Sequence, residues 1–342
     1  MTMKMQDYAV KKAKEVVYTP IGERRLFSDP DADLAREYFQ HKSRRKVDKT
    51  TTVAEAVTRL VSDGAYMGVG GFGTNRIPTA VLHEIVRRRK KNLGLSGHTA
   101  THDFQILVAG KCIDRCDVAY IIGLEARGLS KRARLAVEQG EIEITEWTNA
   151  ALAWRYKAAA MGISFIPARC MLGTDTAKYS AAVEMECPFT EKKYLALPAL
   201  FPDLAMIHVH RADVYGNCQI DGIMVSDFDL ARASKRLIIT TERLVPEEVI
   251  RREPQRTVIP YYLVDAVIEV PYGAYPGNMA YEYYSDEEHL QEWLQADQSP
   301  ETLDQFLQRN IYGVKDFGGY LEINGGMDRM ARLRRQETLL EK

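Results

Sequence analysis

Between Asp63 and Pro78 the chain passes from a short apolar run, Tyr66 to Val69, into Gly70, Gly71 and Gly73, and then into a helix-compatible stretch behind Pro78. A strand that ends in glycines and opens a helix fits few folds. Glycine tolerates positive φ and lets backbone amides approach a ligand. The N-terminus of the next helix favours an anion or a developing oxyanion. Gly68, Gly70 and Gly73 also satisfy the G-x-G-x-x-G spacing of dinucleotide sites. In that motif the helix starts inside the glycine run. Pro78 would interrupt such a helix, and it suits the first turn of one that begins later. The next strand-like run closes on Ser96-Gly97-His98 instead of the acid that would hold a ribose. Three readings of the loop remain: a ligand-free tight turn, a dinucleotide site and a thioester site.

Around this loop, strand-like and helix-like segments alternate. Thr52 to Glu55 reads as a capping box, with Val53, Val57, Leu60 and Val61 on one helical face. The pattern then predicts helix 79–88, strand 93–96, helix 103–109, strand 118–122, helix 130–139, strand 142–145 and a helix capped by Asn149 that runs to Met161. Further strands are expected at 205–210, 236–240 and 266–270. Such alternation implies an α/β fold, a parallel-rich sheet with helices on both faces. The expected organisation is a charged, irregular extension over residues 1–50, an α/β domain over 51–284 and a C-terminal helical arm over 285–342. In the arm, Ser299 is the N-cap and Pro300 the first residue of a second amphipathic helix. Lys42, Arg44, Arg45, Lys46 and Lys49 crowd the extension, which reads as a solvated arm or a wrap over a partner subunit.

With 342 residues, 46% of them hydrophobic, the chain can bury a substantial core. Its net charge of −1 gives no long-range pull on nucleic acid or an anionic bilayer. There is no signal-like apolar segment at the start and no membrane-length apolar run. Five scattered cysteines argue for a reducing, cytoplasmic setting. Cys112 and Cys116 lack a second ligand pair at zinc spacing, so no metal is expected.

Ligands of parallel α/β sheets sit outside the carboxyl ends of the strands. Gly70, Gly71, Phe72, Gly73, Thr74, Asn75 and Arg76 follow one such strand, and Ser96, Gly97 and His98 close the next. These are the candidate substrate-binding residues. Arg76 stands out, because a guanidinium can grip a carboxylate through two parallel hydrogen bonds, and its other reading is a salt bridge or subunit contact. His98 and His102 could move a proton or be ordinary loop histidines. Glu125, with Arg127 beside it, is the weak catalytic candidate and could equally form a structural ion pair. His208 and His210 alternate along a strand and read as a structural pair. Tyr281, Tyr283 and Tyr284 suit an interface or a core.

Gly70-Gly71-Phe72, a short spacer and Pro78 resemble the signature of the alpha half of the class I coenzyme A transferases. Arg76 in this loop resembles the glutaconate CoA-transferase branch, whereas the 3-oxoacid branch usually carries Gly there. Gly68 and Arg76 depart from the strict signature. The likeness continues through Asp203 to His208, Asp213 to Asn217 and Val264 to Ala274, and covers roughly Thr52 to Leu294. The resemblance implies that a glutamate attacks an acyl-CoA thioester, giving an anhydride and then a glutamyl-CoA thioester. In the family that glutamate lies on a beta subunit. No catalytic nucleophile is therefore expected here, and the chain should assemble with a beta subunit, as α2β2. Coenzyme A thioester is a substrate, with no permanently bound cofactor. Relatives of this branch also include ring-cleaving hydrolases and decarboxylases of CoA thioesters, and related folds serve as ligand sensors. Fold alone does not choose among them.

Overall fold

Seven of the nine strands in the central sheet run parallel: β1 (Tyr66–Val69), β2 (Leu93–Gly97), β3 (Ile113–Val118), β4 (Glu143–Glu146), β5 (Leu204–Ala212), β6 (Arg236–Leu244) and β7 (Ala266–Glu269). The computed structural model describes residues 18–121, 123, 124 and 127–339. The strand order is β4-β3-β2-β1-β5-β6-β7, with a short antiparallel pair, Cys218–Gln219 and Thr257–Ile259, added at the end of β5. This is the parallel α/β architecture that the alternating sequence implies.

Strand periodicity divides the sheet between two cores. Leu204 and Met206 of β5, Ile238 of β6 and Ile268 of β7 face one side, with helices Val53–Leu60, Thr79–Arg87, His102–Ala109 and Lys131–Glu138. Ala205, Ile207 and Val209, with Leu237, Ile239 and Val267, face the other, against helices Asn149–Met161 and Asp227–Ala233. Both faces are covered, as parallel sheets require. Each fully buried side chain such as Ile207 contributes about 1.5–3 kcal/mol over leaving it exposed.

Several boundaries differ from expectation. The strand expected at 118–122 is β3, which begins at Ile113 and ends at Val118. Asp114, Arg115 and Asp117 give its first residues no apolar strand pattern. Asp117, however, is fully buried, and its carboxylate accepts hydrogen bonds from Tyr66, Trp147 and Arg155. Thr148, not Asn149, caps the following helix, its side chain accepting the Ala151 N–H. From residue 18 the supposed irregular extension has regular structure: Tyr18–Pro20 pairs with Val183–Glu186 and Ala32–His41 is a helix. Lys42 is committed to Asp265 at 2.7 Å and to the Lys235 and Leu263 carbonyls. Residues 1–17 lie outside the described residues.

A second, four-stranded antiparallel sheet (order Tyr18–Pro20, Val183–Glu186, Lys193–Pro198, Phe165–Ala168) was not anticipated. The arm holds helices Glu287–Ala296 and Pro300–Leu307, the second opened by Ser299 as expected, and adds Phe317–Ile323 and Gly326–Glu337. Trp293, Leu303, Leu307 and Ile311 join the first core, so the arm packs on the sheet domain. Among the described residues, no helix is long and apolar enough to cross a membrane.

Candidate functional site

Strands β1 to β4 step outward in one direction and β5 to β7 in the other, so the carboxyl ends of β1 and β5 frame the crevice where such sheets bind ligands. The glycine loop leaves β1 at that point. Gly70 N–H bonds the Met206 carbonyl of β5 at 2.9 Å. Gly71 has φ +76°, and a Cβ there would lie 2.3 Å from the Asn75 carbonyl oxygen, so only glycine fits. Phe72 and Asn75 exchange both backbone bonds, and Gly73 N–H reaches the Thr99 carbonyl at 2.9 Å.

The loop after β7 clasps this turn. Asn278 accepts the Arg76 N–H at 2.9 Å, donates its own N–H to the Thr74 carbonyl at 3.0 Å, and meets Thr74 and Asn75 through its side chain. Gly277 makes the approach possible, since a Cβ would stand 2.1 Å from the Thr74 carbonyl oxygen. The expected row of bare amides is therefore mostly closed. From Gly70 to Arg76, only Thr74 N–H lacks an acceptor among the described residues.

Arg76 does not face solvent. Its side chain is fully buried, and Nη2 donates to Asp227 Oδ2 at 2.7 Å and to the Ile223 carbonyl at 2.8 Å. Asp227 Oδ1 accepts the Gly71 N–H at 2.9 Å. Nη2 thus carries both committed protons, and Nε and Nη1 are buried without partners among the described residues. The backbone at Arg76 has φ +60°, which costs a non-glycine residue roughly 1–2 kcal/mol. Glycine adopts that conformation freely. The side chain anticipated as a substrate clamp is a buried strut between the glycine loop and helix Asp227–Ala233.

Ser96, at the end of β2, is buried too. Its hydroxyl accepts from Tyr156 at 2.7 Å and approaches the Met67 carbonyl, so it locks a helix to the sheet and offers nothing to a ligand. Gly97 is buried beside it, with Ala100 so near that a Cβ would clash at 2.8 Å. His98 does reach the rim, half-buried, with Nε2 donating to the Asn149 carbonyl at 3.1 Å and Nδ1 unpartnered. Burial holds its pKa below the usual histidine value, opposed by that carbonyl. His102 is buried in the protein, where its ring meets Trp293 edge-on at 5.3 Å. Burial drives it down to about 3, so it is neutral, and neither ring nitrogen has a partner among the described residues. Glu125 lies outside the described residues.

Sequence reasoning missed Asp227 and Asn278, which meet the loop from more than a hundred residues away and carry no local signal. It also missed Glu242. That carboxylate accepts from His208 at 2.7 Å, from Tyr283 at 2.8 Å and from the Tyr272 N–H at 2.8 Å. Burial pushes its pKa up, but these donors together hold it below the ordinary range. The network anchors the clasping loop and gives His208 a structural role. His210 is likewise committed, donating to the Ala280 carbonyl and accepting the Asp221 N–H. Tyr283 is core, whereas Tyr281 and Tyr284 are exposed. Cys112 and Cys116 are buried free thiols. Among the described residues, no group of three or more His, Cys, Asp or Glu is placed to hold a metal.

This rim, a clasped Gly-Gly-Phe loop at the switch point of a parallel sheet, has counterparts among known proteins. Residues 50–270 match the family model described as Coenzyme A transferase. The chain is 34% identical to the A-type subunit of the 3-oxoadipate CoA-transferase of Pseudomonas knackmussii, over 79% of this chain and 95% of that one. The crystal structure of glutaconate coenzyme A-transferase from Acidaminococcus fermentans superposes with a TM-score of 0.80 at 28% identity, covering 83% and 95% of the two chains. The decarboxylase AibA/AibB gives 0.69 at 31% identity, over 78% of this chain and 100% of that one. The chain belongs to the coenzyme A transferase family, as one component of an enzyme of that class.

Proposed function

We propose that this chain is the A-type subunit of an enzyme that moves coenzyme A between an acyl thioester and a carboxylic or dicarboxylic acid of the glutaconate kind. The partner is a β subunit, two of each in the assembly, and it supplies the attacking glutamate. The setting is the cytoplasm, with coenzyme A thioester as substrate and no resident cofactor.

The state of the glycine loop carries this reading. It is clasped by hydrogen bonds at the carboxyl ends of β1 and β5, and on this reading its Thr74 N–H, uncommitted among the described residues, is the donor to a thioester oxyanion. The carboxylate that touches it, Asp227, is locked between Arg76 and the Gly71 N–H and cannot attack anything. On this reading the nucleophile is a glutamate of the partner, as the family resemblance implies. A partner glutamate would attack the thioester carbonyl carbon, breaking the C–S bond and releasing the coenzyme A thiolate. The thiolate then attacks the glutamyl carbonyl of the anhydride, freeing the first carboxylate and leaving glutamyl-CoA for the acceptor. On this chain, Phe72 to Thr74 and His98 wall the thioester. Arg76 sets the loop's shape and does not touch substrate.

The likeness to a decarboxylase favours a second reading, a hydrolase or decarboxylase of dicarboxylic CoA thioesters on the same scaffold. Trapping separates the two. The complex with its partner, mixed with acyl-CoA and then borohydride or hydroxylamine, should yield an adduct on a glutamate of the partner chain. An adduct on Glu125 would overturn the division of labour. Net hydrolysis or carbon dioxide release without an adduct would establish the second reading.

A further inference from the structure

Thr74, which carries the loop's uncommitted amide, touches a second arginine. Arg127 Nη1 lies 3.5 Å from Thr74 Oγ1. Its other edge holds Glu287 in a two-point fork, Nε to Oε2 at 2.6 Å and Nη2 to Oε1 at 2.6 Å. Ser285 Oγ donates to the same Oε1. The Arg127 side chain is 24% exposed and that of Glu287 46%, so solvent reaches the pair. Behind it lies a cavity of about 20 Å³, lined by Thr74, His102, Gln105, Arg127 and Trp293, with room for about one water. His102 brings to this cavity the ring nitrogens of a buried, neutral imidazole, both without a partner among the described residues.

We propose that Arg127 reads the free carboxylate of a dicarboxylic substrate, and that Glu287 occupies this carboxylate seat in the unliganded chain. The inference rests on the thioester reading of the glycine loop. A carboxylate held in a two-point fork by one edge of a guanidinium, and by a hydroxyl, has the geometry of a bound ligand. Glu287 is tethered on the first turn of helix Glu287–Ala296, so it competes with substrate as an intramolecular plug. A diacid whose thioester end lies against Thr74 N–H has its far carboxylate close to the Arg127 fork, because one residue, Thr74, meets both. Monocarboxylic acyl groups leave the plug in place. The small cavity is too small for an acyl chain. It supplies a water-sized space in which neutral His102 can donate and accept once Arg127 shifts toward ligand.

The two partners of the pair should respond in opposite directions. In the assembled complex, Arg127→Gln should raise KM for a dicarboxylic acceptor about tenfold or more while leaving that for a monocarboxylic acceptor of equal length within twofold. Glu287→Gln should lower KM for the dicarboxylic acceptor. A second measurement does not depend on turnover. At constant ionic strength, glutarate should raise the thermal midpoint of the purified chain more than butyrate. Glu287→Gln should enlarge that difference and Arg127→Gln should abolish it. Equal loss of thermal stability in both variants, with no change in selectivity or in the glutarate effect, would make the pair a structural clasp and overturn the proposal. An intact complex that transfers coenzyme A to no acceptor would sink the transferase reading, and the glutarate comparison would then decide the seat by itself.

Discussion

Arg76 and Arg127 stand on the same rim, each paired with a carboxylate, and differ in what surrounds them. Arg76 and Asp227 have no exposed side-chain surface, and a backbone amide of the glycine loop completes their network. Arg127 and Glu287 are open to water and lie where the helical arm meets the rim. Breaking a buried pair leaves an uncompensated charge in low dielectric, whereas an exposed pair exchanges one set of polar partners for another at little cost. Burial thus assigns the roles: one arginine fixes the shape of the loop, and the other can release its carboxylate to take a different one.

The most severe test of this contrast is at the buried pair. Arg76→Ala should cost about 3–5 kcal/mol in urea unfolding, because Asp227 would remain buried and charged. Arg76→Gly should be milder than Arg76→Ala by about 1 kcal/mol, since φ +60° strains alanine and suits glycine. A loss under 1 kcal/mol for both variants would mean that Arg76 does not shape the loop, and the distinction between the two arginines would collapse.

The sequence made one side of this comparison legible and hid the other. The strand, the glycines and Pro78 are contiguous, and their local chemistry located β1, the turn and the helix starting at Thr79. The capping box at Thr52 and the start at Ser299 are also local, and both stand where they were read. Arg76 was noticed for its charge, but its fate depends on Asp227, which lies 151 residues further along the chain. The same blindness affected β3, where the charge of Asp117 is satisfied by Trp147 and Arg155 from distant parts of the chain. Glu125 and Arg127 were read as a possible local pair; Glu125 lies outside the described residues, and Arg127 forks onto Glu287, 160 residues away. Local backbone grammar is written in short stretches. Pairing of buried or forked charges is written in the tertiary fold.

An intermediate effect should come from the cavity wall behind Arg127, where burial acts on a neutral group. His102 has its pKa held down at about 3, against about 6.5 when unfolded. As pH falls below about 6.5, the unfolded chain takes up a proton that the folded chain refuses until about 3. Stability is therefore lost progressively across that window, at up to roughly 1.4 kcal/mol per pH unit. Burial shifts His83, His98, His210 and His289 in the same direction, while Asp103, raised to about 6, acts oppositely between its unfolded value and that point. Comparison with His102→Leu isolates one site. Relative to their difference at pH 7.5, the variant should gain about 2–3 kcal/mol on the wild type at pH 4.5. An unchanged difference would show that the folded chain protonates His102 as readily as the unfolded one, and that burial does not hold the imidazole neutral.

The smallest effect belongs to the exposed pair, and its smallness is the point. Arg127 already holds Glu287 below the usual carboxylate range, chiefly through the forked hydrogen bond, with Ser285 assisting and burial opposing. At neutral pH the pair is therefore fully charged, which is the state in which a rival carboxylate must compete. Water can solvate both groups when they separate, so Arg127→Gln and Glu287→Gln should each change unfolding stability by less than about 1 kcal/mol. A double-variant cycle should give a coupling of similar size that shrinks as salt rises from 0.05 to 0.5 M, about a threefold contraction in screening length. A coupling of 3 kcal/mol or more, indifferent to salt, would place this pair in the same category as Arg76 and Asp227. Glu287 could not then yield its seat to a substrate, because releasing it would cost as much as breaking the buried strut.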